Sequence, residues 1–268
     1  MVTKMNINSD MGEGFGRWIT GGNDAELMKY VPTANLACGF HASDPHTMHK
    51  TVELAANAGV EVGAHVSVPD LLGFGRRRMD IKADDLYDYV VFQIGALWGF
   101  LKAAGLKMVH VKPHGILYTM VGESDEYANV LFKAIRDIDP QLIAIVGGPA
   151  VYAAAEEYGI RAVPEGYCDI AYYPTGFPVV PAAGKEPWDP NEVAERALRI
   201  ATERTMTAID ESTITVDVPT LCVHGDVSNA IEVASMLRER IAAADIEIVK
   251  LADVDLSRQY LGARKIDS

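Results

Sequence analysis

An α/β fold, a seven-stranded parallel β/α barrel, follows from three features of the sequence. Short apolar runs alternate with amphipathic helical patterns, as parallel strands joined by crossover helices require. Polar residues stand at the C-terminal ends of six of the seven runs; in a closed barrel all those ends open on one face, whereas an open doubly wound sheet would spread them along a crevice. The length of 268 residues, 49% of them hydrophobic, suits one barrel-sized domain spanning 1–268 with a large core.

Each element can be read in order. KMNIN (4–8) is the first strand and leads to Asp10. TANLAC (33–38) is the second and runs into a turn holding His41. Asp44 before Pro45 opens a helix that Gly59 closes. VEVGAHV (60–66) carries His65 at its end, and Asp84 opens the next helix. KMVHVKP (107–113) delivers Lys112 and His114, with Ser124 opening the helical stretch that follows. LIAIVGG (142–148) and IRAVPE (160–165), the latter ending in Glu165, are the fifth and sixth strands. The connection GYCDIAYYPTGFPVVPAAGKEPWDP (166–190) is rich in proline and aromatics and has no helical period, which reads as a lid or binding loop. Asp189 then opens a helix, TLCVHG (220–225) brings His224 and Asp226, and Ser228 opens the last helix.

A net charge of −13 spread over many segments disfavours nucleic acid and anionic membrane as partners. Three cysteines without CxxC spacing argue against a disulfide framework and for the cytoplasm. The N-terminal MVTKMNINSD lacks an apolar leader core, and VVFQIGALWGFL is too short and too amphipathic to span a bilayer.

The chemistry lies in recurrent histidines. His41, His65, His114 and His224 all adjoin predicted strand ends, so closure would crowd them into one pocket. Any one of them alone would read as a packing residue, and His46 and His49 read as a solvated helix face. Asp10, Glu13, Asp44 and Asp226 are candidate acids and bases, although Asp44 is equally well placed to be a helix cap. Lys112 suits an oxyanion or a phosphate, and Arg76 and Arg77 in GFGRRRMD could clamp an anion or form a solvated basic turn. GEGFG, with Gly12 and Gly14, weakly resembles a phosphate-cradling loop. A divalent metal held by Asp10, His41 and His65 is a further candidate, without the HxH or HExxH spacing that would make it strong. Cys38 and Cys222 read as packing.

In series, NSDMGEGFG, ANLACGFHASDP, GAHVSVPDLLGFGRRRM, HVKPHGILY and CVHGD resemble the LamB/YcsF family, which is identified with the A component of the bacterial 5-oxoprolinase. The resemblance runs from Met5 to Leu251 and leaves residues 251–268 as a tail outside it. It implies a seven-stranded barrel related to the glycoside hydrolase/deacetylase barrels and ATP-dependent opening of 5-oxo-L-proline to L-glutamate. The implied partners are PxpB-like and PxpC-like subunits, with ATP as co-substrate. Under that scheme Asp10 or Asp44 activates water, Lys112 and Arg76 hold phosphate, and His65 and His114 donate protons; Glu165 and Tyr172 are expected on the substrate or phosphate side. The chain departs from the pattern where the family has Asp-Arg-x-Tyr and here Asp169-Ile170-Ala171-Tyr172 stands, and again where TGFPVVP lacks the family's arginine. Losing two guanidinium groups suited to a planar carboxylate makes another lactam or cyclic amide the explicit variant. The rivals are a metal-dependent deacetylase of acylated sugars and a non-catalytic binding protein.

Overall fold

The computed structural model describes residues 4–18, 23–180 and 186–266. Its strands are β1 (Lys4–Met11), β2 (Thr33–Ala37), β3 (Glu61–Val66), β4 (Met108–Pro113), β5 (Ile143–Ile145), β6 (Arg161–Val163), β7 (Glu165–Tyr167), β8 (Thr205–Thr207), β9 (Thr213–Asp217), β10 (Thr220–His224), β11 (Glu247–Ile248) and β12 (Gly262–Lys265). Between them run α1 (Asp24–Leu27), α2 (Pro45–Ala58), α3 (Ala83–Ala103), α4 (Gly115–Glu123), α5 (Asp125–Ile138), α6 (Val151–Tyr158), α7 (Pro190–Glu203) and α8 (Ala230–Ala243). No described helix is long and apolar enough to cross a membrane.

Parallel pairing runs β6–β5–β4–β3–β2–β1–β10–β7, with β11 joining the start of β1. Only Pro164 separates β6 from β7, and a proline has no N–H to give to a ladder. Residues before it pair with β5 and residues after it with β10. One passage of chain thus reaches both open edges and nearly closes the ring. The expected sixth strand is therefore split, giving eight strands around the barrel where seven were predicted.

Four of the expected helix boundaries hold. Asp44, Ser124 and Asp189 cap their helices through side-chain oxygens, and Gly59 ends α2 in the left-handed conformation. Asp84 instead lies in the first turn of α3, after Lys82, and the residue before α8 is Asn229, one beyond Ser228. A small antiparallel sheet, β12–β9–β8, was not foreseen. Part of the predicted tail forms its edge, and Arg258 ties the preceding turn down through paired bonds to Asp217 at 2.9 and 2.7 Å.

The barrel interior is polar, and the two-residue strand period explains how. Asn6, Asn8 and Asp10 share one face of β1; register sets Asn6 beside Thr220, Asn8 beside Thr33 and Cys222, and Asp10 beside Asn35 and His224. Gly63 lies beside His110, and His65 beside Lys112. Buried polar groups must be hydrogen-bonded to be tolerated. Here Asn6 donates to Thr33 (2.8 Å) and accepts from Thr220 (2.6 Å), Asn8 donates to Thr220 (2.8 Å), and Asn35 donates to Asn8 (2.7 Å) and Asp10 (2.8 Å). Gly63 makes room for this layer, since a Cβ there would lie 2.2 Å from the His110 ring.

Candidate active site

The polar column ends in a pocket of about 40 Å³ at the C-terminal strand ends, lined by Asp10, His65, Arg76, Lys112, His114 and His224 among others. Lys112 Nζ lies 2.8 Å from Asp10, 3.0 Å from Glu165, 3.3 Å from Asn8 and 3.2 Å from Cys222 Sγ. Burial opposes its charge, but Asp10, Cys222 and Glu165 outweigh burial and hold its pKa well above the ordinary range. An ammonium has three hydrogens, and these acceptors occupy them, so Lys112 is the buried counter-ion of two carboxylates. The expectation that it grips phosphate does not fit that saturation.

Asp10 and Glu13 are driven apart. Burial pushes Asp10 up, yet His65 and Lys112 overcome it and hold the carboxyl well below its usual range. Burial pushes Glu13 well up, and the charges of Asp10 and Asp226 add to the rise. Two nearby carboxyl groups with opposed environments can divide acid and anion roles.

The imidazoles form a cluster behind them. His41 stacks on His114 with centroids 3.8 Å apart and meets Glu13 at 3.1 Å. His65 Nδ1 lies 3.0 Å from the Lys112 carbonyl and His114 Nε2 lies 2.8 Å from the Phe74 carbonyl. A carbonyl only accepts, so both of those nitrogens carry hydrogen. The other two, His65 Nε2 and His114 Nδ1, face each other at 2.9 Å. Two bare lone pairs would repel at that distance, so a cation belongs between them, either a proton or a metal ion. Burial, followed by the charge of a neighbouring imidazole, holds both His41 and His114 well below the usual histidine range, and His65 Nε2 also lies 3.2 Å from Asp10. Glu13, His41, His65 and His114 also offer four donor atoms within 4.8 Å of one another, the expected metal trio with Asp10 exchanged for Glu13 and His114. Anchoring the far ring nitrogen on a carbonyl is how metal-binding histidines are held, so these residues fit a divalent ion.

On the remaining sides, Arg76 reaches Asp226 at 2.8 Å, and Gly75 lets its turn lie against the cluster, since a Cβ there would fall 2.8 Å from both His41 and His114. His224 Nδ1 meets Asp169 at 2.9 Å.

Several expected site residues lie elsewhere. Asp44 accepts from the amides of His46 (2.8 Å), Thr47 (3.2 Å) and Gly16 (2.8 Å), which makes it a cap and loop anchor and not a water-activating base. Arg77 is largely exposed and pairs with Asp70, so of the two predicted clamps only Arg76 faces the pocket. In GEGFG, Gly12 donates to Asp24 (2.9 Å) and the Gly14 carbonyl accepts from Ser43 (2.8 Å). The chain's own groups thus occupy the supposed phosphate cradle. Tyr172, whose hydroxyl accepts from the Tyr167 amide at 2.6 Å, and Glu165, engaged by Lys112 and by Tyr167 at 2.8 Å, both line a larger chamber beside the pocket. Sequence reasoning missed Asp169, Asn8, Asn35 and His110. The signal was the alternation Asn6-Asn8-Asp10 and His110-Lys112-His114, which puts each trio on one strand face.

The LamB/YcsF family model matches residues 5–256. The A component of 5-oxoprolinase from Pyrococcus furiosus is 42% identical over 253 residues, covering 93% of this chain and 98% of that one. The protein of the same name from Nocardia farcinica is 42% identical over 247 residues, covering 91% and 98%. The crystal structure of the lactam utilization protein from Thermus thermophilus superposes with a TM-score of 0.83 at 40% identity, over 91% of this chain and 98% of that one. A putative cellobiose-phosphate cleavage protein from Enterococcus faecalis, 14% identical with a TM-score of 0.53 over 93% of this chain and 98% of that one, shares the fold. Matched over nearly its whole length by the family model and by these relatives, the chain belongs to the LamB/YcsF family.

Proposed function

We propose that the chain is the hydrolytic component of an ATP-linked 5-oxoprolinase, opening the lactam of 5-oxo-L-proline to L-glutamate in the cytoplasm. The observation that carries this reading is the single buried cluster in which Asp10, paired with Lys112 and His65, shares a set of stacked imidazoles with Glu13. The names of the 40%-identical relatives supply the substrate class. An unstrained lactam is a poor electrophile, and the occupied glycine-loop amides leave its activation by ATP to PxpB-like and PxpC-like partner subunits.

In this scheme Asp169 fixes the Nδ1–H form of His224, and the opposite ring nitrogen takes the proton of the attacking water. Transfer of the ATP γ-phosphoryl group to the lactam oxygen by a partner makes the ring carbon electrophilic, and the Arg76 guanidinium stabilises the negative charge on the phosphorylated oxygen as water adds. As the C–N bond breaks, the His65–His114 pair delivers a proton to the ring nitrogen, and Glu13, 3.6 Å from His114 Nδ1, replenishes it. The nitrogen leaves as the amino group, and the γ-glutamyl phosphate so formed takes up a second water to give glutamate and inorganic phosphate. The test is reconstitution of the chain with ATP and its partner proteins, followed by measurement of glutamate release. A complex that kept full turnover with His65→Ala would place catalysis elsewhere.

The 2.9 Å approach of the two imidazole nitrogens favours one second reading, a metal-dependent hydrolase. Glu13, His41, His65 and His114 would hold the ion, which would supply Lewis-acid polarisation of the carbonyl or an acidified water. Elemental analysis of protein purified without chelator decides: near-stoichiometric metal favours this reading, and its absence favours the shared proton.

A further inference from the structure

The reaction pocket has room for little more than a water molecule, so the body of any substrate needs another place. A chamber of about 350 Å³ lies beside it, within the usual range for small-molecule sites. Tyr118, Tyr167 and Pro178 line both spaces, so the two adjoin. Tyr172 and Phe177 add aromatic surface, and the far side is closed by β12. Gly176 permits that closure, because a Cβ there would lie 2.1 Å from the Ala263 carbonyl oxygen.

Glu165 also lines the chamber, its charge answered by Lys112 at 3.0 Å, and two further polar groups there stand without a partner among the described residues. The Tyr152 hydroxyl is buried without a hydrogen bond, and Arg264, an exposed β12 residue that lines the chamber, makes no ion pair among the described residues. Burial first and then Asp217 raise the Tyr152 phenol to about 12, while Arg264 opposes the rise, which puts the guanidinium near that hydroxyl. Arg264 also lies beyond residues 5–256, the span matched by the family model.

We propose that this chamber binds the carboxylate-bearing body of the cyclic amide, with Arg264 gripping the carboxylate and Tyr152 donating to it. The inference rests on the lactam reading above and adds a specificity element: the C-terminal strand contributes the cation that the 170–180 loop lacks. The ring then packs among the tyrosines and turns its amide carbonyl into the adjoining reaction pocket.

The test compares 5-oxo-L-proline with 2-pyrrolidinone, the same ring without the carboxylate, by titration calorimetry on the full chain and by KM in the reconstituted complex. Arg264→Met should weaken 5-oxoproline about 10- to 100-fold and remove its advantage over 2-pyrrolidinone. Arg264→Lys should restore part of that advantage, and Tyr152→Phe should weaken 5-oxoproline about 2- to 10-fold. Binding and KM for 5-oxoproline that are unchanged in Arg264→Met overturn the chamber while leaving the hydrolase reading intact. Arginine-dependent binding by a chain whose wild-type complex releases no glutamate does the reverse.

Discussion

The reaction pocket and the glycine-rich rim at 12–16 use the same residue types to opposite ends. In the rim, the carboxylates of Asp24 and Asp44 accept from backbone amides and fix the start of α2. In the pocket, Asp10, Glu13 and Glu165 face side-chain cations, imidazoles and one another, with water largely excluded. An amide partner is permanent and cannot take up or give back a proton, so a rim carboxylate has no partner with which to exchange one. A pocket carboxylate shares protons with groups that can also move them, and burial amplifies every exchange. The destination of each carboxylate's hydrogen bonds therefore separates scaffold from chemistry.

The most severe way to test this contrast is Lys112→Met. It leaves Asp10 and Glu165 buried with their common cation gone, and removing one partner of a buried ion pair costs about 3–5 kcal/mol. Denaturant unfolding should show that loss, and wild-type stability would mean that the pocket is wetter than its burial indicates.

Glu13→Gln should separate activity from stability. Loss of the proton carrier should lower kcat about 10²–10⁴-fold. The carboxyl of Glu13 is raised above 4.5 in the fold, so its contribution is fully present below pH 4.5 and is lost as pH climbs through the raised value. Glutamine stays neutral, so the variant should melt progressively higher than wild type from pH 5 upward, where the two curves first part. Melting curves that coincide at alkaline pH would show that the fold does not raise the Glu13 carboxyl.

The pocket floor supplies a smaller effect. Gly63→Ala drives a methyl into the His110 ring and should cost about 1–3 kcal/mol, as overpacking does. Adding His110→Ala should recover part of that loss, and double-mutant unfolding measurements read the coupling.

Much of this architecture was legible because the strand ends were. Asp10, His65, Lys112 and His224 sit where alternation and barrel closure put them, and their meeting needed only the parallel topology. For Asp44 the cap reading holds and the acid-base reading does not, and Gly12 was misread, because composition does not reveal where an amide hydrogen points. GEGFG looks like an anion cradle until Asp24 and Asp44 are found filling it. The polar column was missed for a different reason. Asn6, Asn8 and Asn35 lie in runs that read as apolar strands, and only register brings each one a partner. Arg264 escaped notice because its neighbours in space, Tyr152 and the 173–178 turn, are remote in sequence.

The mildest perturbation bears directly on the rim. Asp44→Ala removes an N-cap, a change that typically costs about 0.5–2 kcal/mol, and frees the Gly16 amide. Because Asp44 is absent from the pocket walls, turnover of the reconstituted complex should stay at the wild-type level. The amides of Gly16, Thr47 and His46 hold the carboxyl down, at about 2, against an ordinary 3.8. A depressed acid stabilises the fold above its unfolded value and loses that contribution as pH falls through its folded one. The deficit of the alanine variant should therefore be constant from pH 5 to 8 and shrink toward pH 2, in matched melts of the two proteins. A large loss of kcat with the melting temperature unchanged would make Asp44 part of the chemistry after all, and amide-bound and side-chain-bound carboxylates could then no longer be told apart by function.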